Sequence, residues 1–443
     1  MLNEINNVRF ADIQMLRYDL PGWENLSLKQ KLYIYYLSKA ALFGRDIIFD
    51  QTGKFNLLIR KCLEAVWQGY DFTGHDSERE ALHEYLRRVW FSSGIYHHYG
   101  CEKFQPAFSA EWFEDALNKV EHLLPKGLSA SKAYSTISRA MFDPNYLPMR
   151  VNKTDGEDLV KTSACNYYDH VSQTEVEQFY KQKQTGASEE PSWGLNSTLV
   201  KDQNGRIKER VWKVDGLYGE ALEKISEWLS KALTYAENEQ QKKVIRLLLH
   251  YYKDGDLKTF DDFSIEWLKE QQGDIDFING FIEVYGDPLG LKGSWEGLVE
   301  YKDHEATKRT EMISRNAQWF EDHSPVDDRF KKPKVKGVSA KVICAAMLAG
   351  DEYPSTAIGI NLPNADWIRA RYGSKSVTIS NITQSYNRAA QGNGFLEEFV
   401  IDKPTLATIR RWESVTDELH TDLHECLGHG SGQLLPGTDP NAL

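Results

Sequence analysis

No stretch of this 443-residue chain approaches the roughly 18 consecutive apolar residues that a membrane-spanning helix needs. Its first residues, Met1-Leu2-Asn3-Glu4-Ile5-Asn6-Asn7, carry neither the basic nor the apolar stretch of a signal peptide. The chain therefore reads as cytoplasmic, or as periplasmic if a leader was removed. A surplus of positive charge is missing as well: 53 Lys and Arg stand against 65 Asp and Glu, a formal net charge of −12. That argues against a nucleic-acid or anionic-membrane surface over the whole molecule. Cysteines are few and odd in number. Cys62, Cys101, Cys165, Cys344 and Cys426 are widely spaced and form no C-x-x-C pair, so reduced, mostly buried thiols are expected rather than a disulfide framework. There is no repeat period and no low-complexity tract.

What is present is an ordinary globular balance, 41% hydrophobic and 27% charged, in a chain long enough for two or three domains. Aromatic residues reach 12%, enough to supply large rings to a core and to line a cleft. The first 140 residues read as helices, with a capped start at Ser27 and helical spacing over Lys54–Trp67, Glu78–Trp90 and Glu111–Leu124. Asn204-Gly205, between Thr198–Lys201 and Arg206–Lys208, is a hairpin signal. A long amphipathic helix over Leu217–Tyr252 is interrupted near Ala236-Glu237-Asn238, and Ala306–Phe320 is again helical. Alternation predicts strands over Asp276–Tyr285, Ala357–Leu362 and Ser376–Ile382. Many helices with a few late strands indicate an α+β fold rather than a wound parallel sheet.

The chemistry concentrates near the end of the chain, at His424-Glu425-Cys426-Leu427-Gly428-His429. Two histidines around a glutamate on one helix point to zinc, with the carboxylate placed to take a proton from water on the metal. The spacing is unusual. Residues i and i+4 lie roughly 40° apart around an α-helix, whereas i and i+5 lie roughly 140° apart. A wider turn of π type brings the five-residue step back to roughly 50°, and Gly428 suits such a turn. A π turn at Cys426–His429 is therefore expected. A catalytic zinc wants a third protein ligand, and Asp439 is the sole acid after His429.

The H-E-x-x-G-H run followed by G-S-G resembles the hallmark of dipeptidyl peptidase III, a family of zinc exopeptidases, and the sequence looks like a bacterial member. Two further segments carry the likeness: Gly280-Phe281-Ile282-Glu283-Val284-Tyr285-Gly286-Asp287-Pro288 and Gly359-Ile360-Asn361-Leu362-Pro363-Asn364. The resemblance implies Zn2+ held by His424 and His429, with Glu425 as the general base activating a zinc-bound water. Glu283 and Asn364 would hold the α-amino group of a short peptide, Asn361 would bond the peptide backbone, and Tyr285 would help stabilise the oxyanion. Asp366 is a further candidate for the same pocket. The chemistry agrees, since an ammonium needs a carboxylate and amide oxygens, and a phenol can donate to an oxyanion.

The family fold implies two lobes, one with a small β-barrel among helices and one mostly helical that carries zinc. Carried over, residues 1–303 and 345–391 belong to the substrate lobe, and 304–344 and 392–443 to the helical zinc lobe. An extended peptide would add as a strand beside Gly359–Asn364. The family's second motif, E-E-C-R-A-[DE], which supplies the third zinc ligand, does not occur here. The zinc lobe is accordingly expected to be incomplete in this chain, with the missing C-terminal segment as a companion. Two readings follow: a zinc-dependent exopeptidase releasing N-terminal dipeptides, or a catalytically incomplete peptide-binding fragment.

Overall fold

The computed structural model describes residues 8–185, 192–335, 338–354, 356–390, 394–428 and 431–438, with side chains at all of these except 338–340, 425 and 426. A short hairpin of β1 (Val8–Phe10) and β2 (Ile13–Met15) precedes the helices Leu28–Leu42, Arg45–Gln51, Asn56–Gly69, Asp76–Phe91, Ala110–Lys119 and Ala130–Phe142. Ser27 starts the first of them with a capping box: its hydroxyl accepts from Gln30 N while the Gln30 side chain accepts from Ser27 N. Two orphan amides of the first turn are thereby satisfied. The last four helices of this group bury Ile59, Leu63, Val66, Leu86, Phe113 and Ile137 together as one core.

A second core surrounds a five-stranded sheet. After the small sheet of β3 (Tyr168–Asp169), β4 (Ser197–Lys201) and β5 (Ile207–Val211), the chain forms β6 (Ile275–Phe281), β7 (Trp295–Lys302), β8 (Val338–Gly350), β9 (Gly359–Leu362) and β10 (Ser374–Ile379). The order across the large sheet is β6-β7-β8-β10-β9, with β8 and β10 parallel and the other neighbours antiparallel. Helices Leu28–Leu42, Gly219–Ala232, Glu239–Asp254 and Leu257–Lys269 contribute to the same core. The break between the second and third of these falls where the sequence places it, and Asn238 caps the restart by accepting from Gln241 N.

Two expectations are corrected. The barrel implied by the resemblance is not closed: among the described residues the large sheet ends in two edges, β6 and β9. The strand expected over Asp276–Tyr285 stops at Phe281, so Glu283 and Tyr285 follow the strand rather than lie on it. Two of the three interior strands, β7 and β8, are absent from the sequence reading. Lys341-Val342-Ile343-Cys344-Ala345-Ala346-Met347-Leu348 has neither alternation nor turn signals, because a central strand is covered on both faces. The 344/345 boundary also falls inside β8.

Close packing around Trp295, fully buried at the start of β7, depends on two glycines. A Cβ on Gly44 would sit 1.5 Å from the indole Nε1, and Gly350, at φ 65°, leaves no room for one against Trp295 O. Among the described residues no helix is long and apolar enough to cross a membrane. Cys62, Cys165 and Cys344 are buried free thiols and Cys101 is half-buried, while the side chain of Cys426 lies outside the described residues.

Candidate active site

Past the end of β6 the backbone stays beside β7 for two more residues. Ile282 N donates to Ser294 O at 3.1 Å and Ser294 N donates to Glu283 O at 2.7 Å, which fixes the Glu283 backbone. The side-chain amide of Asn364 donates to the Glu283 carboxylate. Two residues 81 positions apart in the chain are thus one pair. Burial pushes the Glu283 carboxyl above the usual range and Asp351 adds to this, while Asn364 and Arg369 pull it back. Tyr285 is 76% exposed, on the turn that follows. That turn is organised by Asp287, whose buried carboxylate accepts from Leu291 N, Lys292 N and the Tyr168 hydroxyl.

Asn361 lies on β9, opposite Ser376 of β10. Its side-chain amide donates to Ser374 Oγ at 3.1 Å and to Ser376 Oγ, and its Oδ1 accepts from Arg369 Nη2 at 2.6 Å. The side chain is therefore committed within the sheet. Among the described residues β9 pairs with β10 on one side only, which leaves its other edge able to take an added strand. Asn364 and Asp366, just beyond, help line an 840 Å3 cavity with Ile282, Val284, Trp267 and Trp367.

Sequence reasoning missed the groups that set the charge here. Arg369 bonds the Asn361 carbonyl as well as its amide oxygen and faces Glu283. Glu296, buried on β7, and Asp351 and Glu352, just past β8, surround Glu283 with further carboxylates. Strand register brings them together, since Glu296 pairs with both Gly280 of β6 and Gly350 of β8. Burial, with Asp351 and Glu283 adding, pushes Glu352 up to about 7. Burial also raises Asp351, against the opposing pull of Arg150. No short motif announces such a group, because its members lie on or just past three different strands.

On the metal side, the helix Lys403–Leu423 widens into a π turn over His424–Gly428, one element with the expected geometry, beginning two residues earlier than expected. Its Cα atoms come within 8 Å of those of β8, β9 and β10, so the turn faces the free-edged strand. Arg309, on the helix His304–Arg315, anchors the approach. Its Nε donates to Asp422 Oδ2 at 2.7 Å and its Nη1 to Glu418 Oε2 at 2.9 Å, and Asp422 is fully buried. Beyond the turn, the buried carboxylate of Glu321 accepts from Gly432 N at 3.0 Å, where φ is 74°. That clamp gives the glycine after Ser431 a physical purpose.

His424 is exposed, whereas the side chain of Glu425 and all of His429 and Asp439 lie outside the described residues. Among the described residues no group of three ligating side chains forms. His424, at the start of the π turn, carries an imidazole of the kind that suits zinc.

The comparisons agree with this geometry. The model of Peptidase family M49 matches residues 151–443. Dipeptidyl peptidase 3 of Homo sapiens is 24% identical over 447 residues, covering 92% of this chain and 59% of its own length. Dipeptidyl peptidase 3 of Dictyostelium discoideum is 24% identical over 451 residues, covering 96% of this chain and 62% of its own. The solved structure of DPP III from Caldithrix abyssi superposes with a TM-score of 0.66 at 20% identity, over 94% of this chain and 66% of that one. This chain therefore spans about three-fifths of the length of the relatives it matches. With the family model matching residues 151–443, about two-thirds of its length, the chain belongs to peptidase family M49.

Proposed function

We propose that the chain is the substrate-holding and metal-bearing part of a zinc-dependent exopeptidase that releases N-terminal dipeptides from short peptides. The observation that carries the reading is the Glu283–Asn364 pair beside the free edge of β9, with the His424 turn close to the same strand. A peptide would add along β9 by main-chain hydrogen bonds, which give affinity without reading side chains. Its α-ammonium would meet Glu283 and the Asn364 amide oxygen, beside the carboxyls of Asp351, Glu352 and Glu296, which burial raises and which a bound cation would help to ionise. His424 and His429 would hold the zinc, which supplies Lewis-acid polarisation of the scissile carbonyl. Glu425 would take the proton from the attacking water, and the exposed Tyr285 would swing to donate to the oxyanion. In this reading 1–303 and 345–391 serve the peptide, and 304–344 and 392–443 serve the metal.

The test is to incubate the chain with a free-amino pentapeptide and with its N-acetylated counterpart, each with and without a zinc chelator. Mass spectrometry should show chelator-sensitive release of the N-terminal dipeptide from the free peptide alone. Equal cleavage of the acetylated peptide, or release of single residues, would overturn the reading. A second reading rests on the sequence, in which the E-E-C-R-A-[DE] segment does not occur. In it, the chain binds peptides without turnover until a companion segment adds the third ligand. Peptide binding without release of product distinguishes this case.

A further inference from the structure

A second pocket, with none of the amine or metal residues in its lining, opens at the seam between the two cores. It encloses about 440 Å3 between the end of β8 and the helices Leu28–Leu42, Asn56–Gly69 and Asp76–Phe91, within the usual range for small-molecule sites. Its walls are largely apolar, with Ile48, Phe49, Trp90, Met347 and Tyr353 among them. One side chain breaks that pattern. Arg60 is 5% exposed and lines the pocket.

Its guanidinium is held from three sides. The Phe49 ring lies 4.6 Å from Cζ, Nη2 is 2.9 Å from Asp46 Oδ1, and Nε is 3.5 Å from Glu64 Oε1. Glu64 is further engaged by Trp90 Nε1 at 2.9 Å. Nη1 and Nε are both buried without a hydrogen-bond partner, as is Asp46 Oδ1, whose approach to Nη2 is an ion-pair contact only. A buried charged donor without an acceptor is costlier than a neutral one, so the fold keeps an unfavourable group beside an apolar cavity. Neither nearby carboxylate offers itself to a cation, since both already face Arg60. An acceptor brought from outside would complete the fork, and the rigid planar guanidinium favours a carboxylate.

We infer that this pocket is a ligand site for a small organic acid with a flat apolar body, its carboxylate on Arg60 Nη1 and its body against Trp90 and Tyr353. The site is independent of peptide or metal binding, so it stands or falls apart from the peptidase reading.

Titration of the whole chain with indole-3-acetate, indole-3-ethanol and acetate, followed by calorimetry or ligand-observed NMR, tests it. Indole-3-acetate is expected to bind saturably, and both the alcohol and acetate at least about tenfold more weakly. Arg60→Lys keeps a cation for Asp46 and Glu64 but removes the fork, and should weaken the acid about tenfold or more while leaving the alcohol unchanged. Trp90→Ala, at a half-exposed position, should weaken acid and alcohol alike and serves as the deciding variant if Arg60→Lys does not fold. Equal affinity for acid and alcohol, affinity undiminished in the folded variants, or no saturable binding of indole-3-acetate would overturn the proposal.

Discussion

At the scale of single residues, Glu283 matters most, because a carboxylate held by an amide donor and set among other acids is matched to an ammonium. A charged hydrogen bond contributes about 1.5–3 kcal/mol, so Glu283→Gln should weaken a free-amino peptide by about ten- to a hundredfold. Affinity for the acetylated peptide, measured by the same titration, should not move. Glu352 gives a pH prediction. Burial raises its folded value to about 7, above the ordinary 4.5, so the folded state holds a proton that the unfolded chain releases earlier. Its contribution is full below about pH 4.5 and is lost as pH rises towards 7. Glu352→Gln should therefore melt at the wild-type temperature at pH 4 and higher than wild type at pH 8. Glu283 and Asn364 were legible in the sequence because each sits in a compact motif. Arg369, Asp351, Glu352 and Glu296 were not, since only the register of β6, β7 and β8 makes them neighbours.

At the scale of elements, the turn at His424 was the most legible feature. A five-residue histidine spacing calls for a wider turn than an α-helix provides, and the chain forms a π turn over His424–Gly428. Helices were easier to see than strands, because their caps and spacing are local. β8 was lost because the sheet, not the sequence, decides what a continuous apolar run becomes, and β7 because two glutamates, Glu296 and Glu300, are buried within it. The Arg309–Asp422 pair, drawn from helices more than a hundred residues apart, was equally invisible. Removing the arginine leaves Asp422 buried without its cation, which is costlier than losing the pair outright. Arg309→Met should speed hydrogen exchange over 403–428 and lower zinc content, while exchange over 28–69 stays at the wild-type rate. Unchanged exchange in 403–428 would mean that other contacts hold this helix.

At the scale of the whole molecule, the helix Lys403–Leu423 presents Trp412, Val415 and Leu419 to solvent, and Phe399 and Ile401 precede it equally exposed. Apolar groups gathered in this way mark a contact surface. The chain alone is expected to associate with itself as its concentration rises, as read by analytical ultracentrifugation. Trp412→Lys combined with Val415→Lys should reduce that association without altering the melting temperature. Two-lobed organisation, by contrast, was read from resemblance rather than from any boundary in composition.

β9 is only four residues long, from Gly359 to Leu362. At roughly 3.3 Å per residue it offers about 13 Å of free edge, a ruler for one short segment of extended chain. Such an edge measures a peptide instead of reading it: length and backbone chemistry become the criteria, and composition is largely ignored. N-methylation of single amides, scanned along an otherwise constant peptide, would mark out that ruler one hydrogen bond at a time. It is also too short to seed a growing sheet, so a molecule that keeps an open edge for its ligand avoids offering a template for its own aggregation.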